Sequence, residues 1–205
     1  MESRTNVIFL ATQWDTKWRR AQQFAVRFNQ LDIVNSVVYV ELPLTLTSLM
    51  KYAVGKGDQE ASARWRRTLR QGFVSEDNGV SIVTPLSALP RRQRYFWFPG
   101  EGMSKRWVIR QIYRLLAEGD GSLQRTLILG TSPLNLEFAD AFPEARFCYD
   151  YFGNYEGMYV PSEIPPILES REQRALRYAD AVICQTPMHY ESVKPMNSHV
   201  YLIPN

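Results

Sequence analysis

The chain has 205 residues, of which 45% are hydrophobic and 13% aromatic, and its formal charge is +3. This length suits a single domain with a substantial core that needs no disulfides, and the composition excludes intrinsic disorder. The six-residue apolar stretch near the N-terminus is too short for a signal-peptide core. Because no apolar run approaches the roughly 20 residues that a membrane helix needs, we expect a cytoplasmic protein.

In the first half of the chain, strands and helices are predicted in turn. Residues 6–11 show no alternation of apolar and polar side chains, which is typical of a strand buried on both faces. Residues 18–31 place apolar side chains at helical spacing, and residues 37–40 supply a second strand that completes a βαβ unit. Further elements up to residue 118 are a helix at 46–54, an arginine-rich helix ending by 72, a strand at 80–85, an extended piece at 94–100 and a helix at 104–118.

The second half alternates more regularly. Strands are predicted at 126–130, 145–149, 181–184 and 199–203, with helices at 134–142, 167–178 and 187–193. Parallel strands need crossover connections, so this alternation predicts a mostly parallel sheet with helices on both faces. We therefore predict an α/β fold with a doubly wound, Rossmann-like sheet in a single domain.

In such a sheet, ligands bind beyond the carboxyl ends of the strands. Polar and aromatic residues recur at the predicted exits, which suits a ligand rich in hydroxyl groups. The candidate substrate-binding residues are Trp14, Asp15, Glu41, Ser132, Asn135, Tyr151, Phe152 and Asn154. Asp150 is the candidate catalytic residue, because it leaves a buried strand among aromatic side chains, where it would serve as an acid or base or cap a turn.

Neither a cofactor nor a metal site is predicted. Residues 12–16 lack the glycines that let a backbone approach a pyrophosphate, and the chain has no phosphate-binding loop. The histidines, His189 and His199, lack the spacing of metal ligands. Cys148 and Cys184 fall in predicted buried strands, so we expect reduced core thiols.

Two arginine clusters, at residues 64–70 and 91–94, stand out in the sequence. Such clusters suit phosphate, anionic lipid or nucleic acid, and a solvated helix face is the alternative. Since the net charge is low and no nucleic-acid-binding module is present, nucleic acid is not an expected partner.

Six short segments occur in a fixed order: WRRAQQFA at 18–25, VYVELP at 38–43, TSPL at 131–134, YD at 149–150, RYADAV at 177–182 and LIPN at 202–205. Their order and spacing resemble the N-terminal domain of GT-B glycosyltransferases of the group 1 (family four) type. The chain departs from that pattern at Ala21, where relatives often have proline, and in its first turn, which lacks their glycine-rich loop.

The resemblance implies that residues 1–205 form the acceptor-side domain of a glycosyltransferase. In that family a second Rossmann-like domain, absent from this sequence, binds the nucleotide-sugar donor, so this chain alone would not transfer sugar. The implied partners are a glycan or lipid-linked acceptor and, through the missing domain, the donor. The implied setting is cell-surface polysaccharide synthesis, with a peripheral contact at the inner face of the membrane.

The resemblance also suggests roles for the candidate residues. Asp150 would take or orient the proton of the acceptor hydroxyl, while capping its own turn is the alternative. Trp14, Tyr151 and Phe152 would stack on sugar rings or pack in the fold. Ser132 and Asn135 would bind the acceptor or cap the helix that follows. A non-catalytic carbohydrate-binding or scaffold subunit with a GT-B-like domain is the alternative function.

Overall fold

The protein is seen in a computed structural model that describes residues 4–11, 14, 19–87, 103–118, 125–133, 135–151 and 166–204. The strands are β1 (Thr5–Leu10), β2 (Val34–Val40), β3 (Leu44–Thr45), β4 (Val74–Asp77), β5 (Val80–Val83), β6 (Leu86–Ser87), β7 (Thr126–Gly130), β8 (Arg146–Tyr151), β9 (Ala181–Cys184) and β10 (Val200–Leu202). The helices are α1 (Arg20–Asn29), α2 (Leu46–Ala53), α3 (Gln59–Gln71), α4 (Met103–Ala117), α5 (Asn135–Ala139), α6 (Pro166–Tyr178) and α7 (Pro187–Val193).

Eight strands form the main sheet, in the order β10-β9-β8-β7-β1-β2-β5-β4. Each neighbouring pair is parallel except β4 and β5, which are antiparallel. The order reverses between β1 and β7, which is where doubly wound sheets form their ligand crevice. The predicted fold class is confirmed.

Helices cover both faces of the sheet. On one face α1 buries Ala21 and Ala25, which are one helical turn apart, against β1 and β2. On the other face, Ile112 of α4, Leu176 of α6 and Val193 of α7 pack against the strands. The sheet thus lies between two apolar clusters. The loops that follow the parallel strands leave the sheet at its carboxyl edge.

Near that edge, one row of paired residues crosses β2, β1, β7 and β8. Its members, in that order, are Val40, Leu10, Gly130 and Tyr149. The next row toward the edge therefore contains Glu41, directly after β2, and Asp150 in β8. Because residues in one row of a parallel sheet project to the same side, both carboxylates lie on the face that α1 covers. Three strand spacings separate them, about 14 Å.

The sequence analysis missed three strands, β3, β4 and β6. The antiparallel β4 is joined to β5 by Asn78 and Gly79, whose φ angles of 52° and 75° are those of a tight hairpin turn. An Asn-Gly pair between two strands is a strong hairpin signal, so the hairpin of β4 and β5 could have been predicted from the sequence. β2 begins at Val34 rather than at 37, and the predicted extended piece at 94–100 lies outside the described residues.

Cys148 and Cys184 are buried free thiols, as predicted. None of the helices in the described ranges has both the length and the apolar character that a bilayer span requires.

Candidate functional site

Glu41 is fully buried and lies at the centre of a hydrogen-bond network. Its Oε2 accepts from the backbone N–H of Trp14 at 2.8 Å and from Nε of Arg64 at 3.0 Å. Its Oε1 accepts from Nη2 of Arg67 and from the hydroxyl of Thr84. Both oxygens are thus satisfied by protein groups, which is what a buried charge requires.

The same network connects four parts of the first half of the chain. Nη1 of Arg67 donates to the carbonyl of Trp14 at 3.0 Å, and Nη2 of Arg64 donates to the carbonyl of Leu42. The indole N–H of Trp14 donates to Asp77 at 2.9 Å. We call Trp14, Glu41, Arg64, Arg67 and Thr84 the Glu41 network. It joins the exits of β1, β2 and β5 to α3.

Asp150 has a different environment, although it is 2% exposed. Its Oδ2 accepts from Nε of Arg20 at 3.3 Å, a long hydrogen bond. Among the described residues, no hydrogen bond of normal length and angle reaches its Oδ1. A buried carboxylate oxygen without a partner is costly, and such groups are concentrated at functional sites.

Burial raises the pKa of Asp150 above its ordinary value, because the charged form loses hydration. The nearby charge of Arg20 lowers the pKa, and side-chain hydrogen bonding from Arg20 and from Gln185 acts in the same direction, but desolvation is the largest effect. The folded protein therefore binds a proton at Asp150 more tightly than an exposed aspartate would, and this is the direction that suits a general base.

At least three contacts help to hold Arg20 in place. Besides Asp150, its Nη2 donates to the carbonyl of Ile203 at 3.1 Å, directly after β10. Its guanidinium lies over the ring of Phe24, 4.5 Å from the centroid. Arg20 is the first residue of α1, so the positive end of that helix is directed toward the same edge of the sheet. A cation and a carboxylate thus lie side by side at the carboxyl edge.

Tyr151 projects to the opposite face from Asp150, as alternation along a strand requires. It packs in the cluster beneath α6 and α7, with ring centroids 5.9 Å from Tyr149 and 5.2 Å from His189. Burial, aided by Glu172 and then Cys184, raises the pKa of Tyr151 to about 12. The structure therefore does not bring Tyr151 together with Asp150 on one face.

Ser132 and Asn135 form a local turn after β7. The backbone N–H of Ser132 donates to Oδ1 of Asn135 at 2.8 Å, and the N–H of Asn135 donates to the carbonyl of Ser132 at 2.9 Å. Asn135 is fully buried and its side chain lies against Gly130, where an added Cβ would be 2.7 Å from the Asn135 Cβ and 2.8 Å from the Phe147 ring. Only glycine fits at that position. The Asn135 side chain and the Ser132 backbone therefore take part in this turn.

The remaining candidates divide into two groups. Trp14 is buried against Tyr39, with ring centroids 4.9 Å apart, and belongs to the Glu41 network. Asp15, Phe152 and Asn154 lie outside the described residues, so their predicted binding roles stay predictions.

Sequence reasoning missed the arginines that meet the two carboxylates. Arg20 is 130 residues from Asp150, and Arg64 and Arg67 are 23 and 26 residues from Glu41. The cluster at 64–70 is thus divided: Arg64 and Arg67 turn inward to Glu41, while Arg66 and Arg70 are exposed. The second cluster, at 91–94, lies outside the described residues.

In the part of the chain that the structure describes, no three histidine, cysteine or acidic side chains come close enough to hold a metal ion. No family model matches the chain, and no curated protein matches it. The resemblance to GT-B glycosyltransferases therefore stays a prediction.

Proposed function

We propose that this chain is the acceptor-binding half of a glycosyltransferase, which moves a sugar from a nucleotide-sugar to a glycan or lipid-linked acceptor in cell-surface polysaccharide synthesis. The observation that carries the proposal is Asp150: a carboxylate that is 2% exposed, at the carboxyl edge of the sheet, with Arg20 beside it and an oxygen, Oδ1, that no hydrogen bond of normal geometry from a described residue reaches.

A carboxylate paired with a guanidinium is well suited to a hydroxyl group. A hydroxyl is both donor and acceptor, so the Asp150 carboxylate would accept its proton while Arg20 donates to its oxygen. Oδ1 would then gain the partner that the described residues do not supply. A sugar presents several hydroxyl groups, and this arrangement would orient one of them.

The raised pKa of Asp150 supports a role in proton transfer as well as in binding. A carboxylate whose charged form is destabilised by burial is a stronger base than an exposed one, and it would draw the proton from the acceptor hydroxyl as that oxygen attacks the donor sugar. By resemblance, the donor lies on a second domain. The proposal places this activity in the cytoplasm, at the inner face of a membrane.

The test is binding of saccharides to the chain, measured by saturation-transfer NMR with a panel of mono- and oligosaccharides. We expect binding that Asp150→Asn weakens about tenfold or more, since hydrogen bonds to charged groups contribute on the order of 1.5–3 kcal/mol. A chain that also contains a donor-binding domain should lose most of its transfer activity with Asp150→Ala.

Asp180→Asn is the matched control. Asp180 contacts the opposite end of β8, where its two oxygens accept from Arg146 at 2.7 Å and from the backbone N–H of Phe147 at 2.8 Å. We expect this variant to bind saccharides like the wild type. Equal binding by wild type and Asp150→Asn would contradict the assigned role and favour a carbohydrate-binding or scaffold subunit whose contacts lie elsewhere.

A further inference from the structure

The two outer strands of the main sheet, β10 and β4, differ in how they are protected against pairing with another strand. An edge strand presents a row of main-chain donors and acceptors, and charged side chains are a common protection. β4 ends in Glu76 and Asp77, which are both exposed. Residues 195–205, which include β10, contain no aspartate, glutamate, lysine or arginine. One edge of the sheet is therefore guarded by charge, and the other is not.

The main chain of β10 directs alternate residues toward β9 and away from it. The carbonyl of His199 accepts from the N–H of Val182 at 2.9 Å, and the N–H of Ile203 donates to β9 at 2.9 Å. Because the N–H and C=O of one strand residue point to the same side, the odd-numbered residues of β10 face β9. The N–H and C=O groups of Val200 and Leu202 are therefore directed outward, where none of the described strands pairs with them.

The side chains at this edge are apolar and partly open to solvent. Tyr201, Leu202 and Ile203 are 52%, 42% and 41% exposed. In β9, Ala181 and Ile183 are half-buried although the residues that alternate with them are buried, so one face of β9 is only partly covered. Tyr201 is the register partner of Ile183 and projects to that same face. The edge strand and this face together form an apolar surface of the kind that marks an interaction site.

We propose that β10 pairs antiparallel with β10 of a second copy of this chain, so that the two sheets join into one. A two-fold axis beside Tyr201 places Val200 opposite Leu202 of the second copy, and Leu202 opposite its Val200. These are the residues whose main-chain groups are directed outward, and each such pair exchanges two hydrogen bonds. Tyr201 then lies opposite its own counterpart, with Cα atoms about 4.5 Å apart, where aromatic pairs across strands are stabilising.

Charge and symmetry favour a second copy as the partner of β10. An uncharged strand meets its own copy without repulsion, whereas pairing of β4 with β4 would bring the acidic side chains Glu76 and Asp77 of two copies together. The two-fold axis closes the assembly at two copies, while pairing of β10 with β4 would continue into a filament. Pro204 has no N–H to extend the ladder, so the interface is small and the dimer is of the transient, concentration-dependent kind. This inference is independent of the sugar-transfer proposal, because association is measured without a sugar.

The test is sedimentation velocity of the full chain over a series of concentrations, in which we expect a monomer that converts to a dimer as the concentration rises. Leu202→Pro removes the outward N–H in both copies and leaves the groups that face β9 intact, so it should weaken the dimer about tenfold or more. Leu202→Ala is the matched control, because it shortens the same side chain but keeps the N–H, and it should weaken the dimer much less.

A second pair of variants tests the two-fold axis. Tyr201→Lys places like charges opposite each other and should weaken the dimer roughly fivefold. Tyr178→Lys is its control, because Tyr178 is 73% exposed on α6 and is not part of the β10 edge. In the wild type, hydrogen exchange at the N–H groups of Val200 and Leu202 should slow as the concentration rises.

Thermal unfolding of each variant checks that it folds, and Tyr201→Lys carries the test if Leu202→Pro does not fold. A chain that stays monomeric up to the concentrations used for NMR would overturn the proposal, as would open-ended oligomers in place of a dimer. Equal weakening by Leu202→Pro and Leu202→Ala would show that main-chain pairing is not the contact. Equal weakening by Tyr201→Lys and Tyr178→Lys would likewise exclude the two-fold axis beside Tyr201.

Discussion

Two carboxylates lie in the same row of the sheet, on the same face and both nearly inaccessible to solvent, yet their surroundings differ. Glu41 accepts hydrogen bonds from four groups: the Trp14 backbone, two arginines and a hydroxyl. Asp150 accepts a long hydrogen bond from Arg20, Gln185 acts on the same carboxylate, and no hydrogen bond of normal geometry from a described residue reaches its Oδ1. Burial alone does not distinguish the two residues, but hydrogen-bond satisfaction does.

The difference indicates what each region of the sheet edge is for. A buried charge that is fully hydrogen-bonded fixes the elements that contact it, so Glu41 connects strands to α3. A buried charge with an unsatisfied oxygen lowers stability, and that cost is typical of groups whose hydrogen-bond partner is supplied by a bound ligand. We therefore infer that the Glu41 network stabilises the fold, and we propose that ligand binds at Asp150.

The largest expected effect comes from removing the charge of Glu41. Glu41→Gln leaves Arg64 and Arg67 without their anion, and breaking one partner of a buried ion pair costs on the order of 3–5 kcal/mol. Unfolding in urea measures the change. A loss below about 1 kcal/mol would mean that the network contributes little to the fold, and the contrast with Asp150 would disappear.

Asp150→Asn should raise the free energy of unfolding, whereas Glu41→Gln lowers it, and the change should be smaller. Burial raises the pKa of Asp150, so its contribution to stability is complete below its ordinary value of 3.8 and is lost as the pH rises through the raised value. The asparagine variant lacks that loss. At neutral pH we expect it to gain about 0.5–2 kcal/mol, the range that single stabilising substitutions commonly give.

Thermal unfolding of wild type and Asp150→Asn, measured from neutral pH down to pH 3.8, distinguishes a destabilising charge at Asp150 from a carboxylate that supports the structure. The gain should shrink as the pH falls toward 3.8, where the wild-type carboxyl is neutral as well. If the variant is instead less stable at neutral pH, Asp150 supports its own loop, and the turn-capping alternative is correct.

The smallest effect is expected on the other face of β8. Because burial raises the pKa of Tyr151 from 10.0 to about 12, its stabilising contribution is complete below pH 10 and is lost as the pH rises toward 12. Tyr151→Phe has no phenol to ionise, so its stability should fall less than that of the wild type above pH 10. Tyr178→Phe, at an exposed position, is the control and should follow the wild type.

The positions of both carboxylates could be read from the sequence. Continuous apolar runs fix where buried strands end, and a polar residue at such an end lies at the carboxyl edge of a parallel sheet. Alternation of strands and helices was likewise sufficient for the fold class, because few topologies accommodate it. Most strand and helix positions followed from local patterns.

The roles of the two carboxylates could not be read in the same way. What distinguishes Glu41 from Asp150 is the set of donors around each, and those donors come from α3 and α1, at sequence separations of 23 to 130 residues. An arginine-rich helix looks alike in sequence whether its guanidinium groups meet solvent or a buried glutamate. Only packing decides which arginines turn inward, as it does for Arg64 and Arg67 in the cluster at 64–70.

The Glu41 network has a consequence for how the chain folds. All five of its members come from the first 84 residues, and its internal contacts span 17 to 53 residues. The entropy of closing such loops grows slowly with length, so this half can form as one cooperative unit around β1, β2 and β5. The later strands β7 to β10 then add in chain order to the free side of β1. Hydrogen exchange should accordingly be slowest in β1 and β2, and local opening should begin at β10, beside the carbonyl of Ile203 that Arg20 holds.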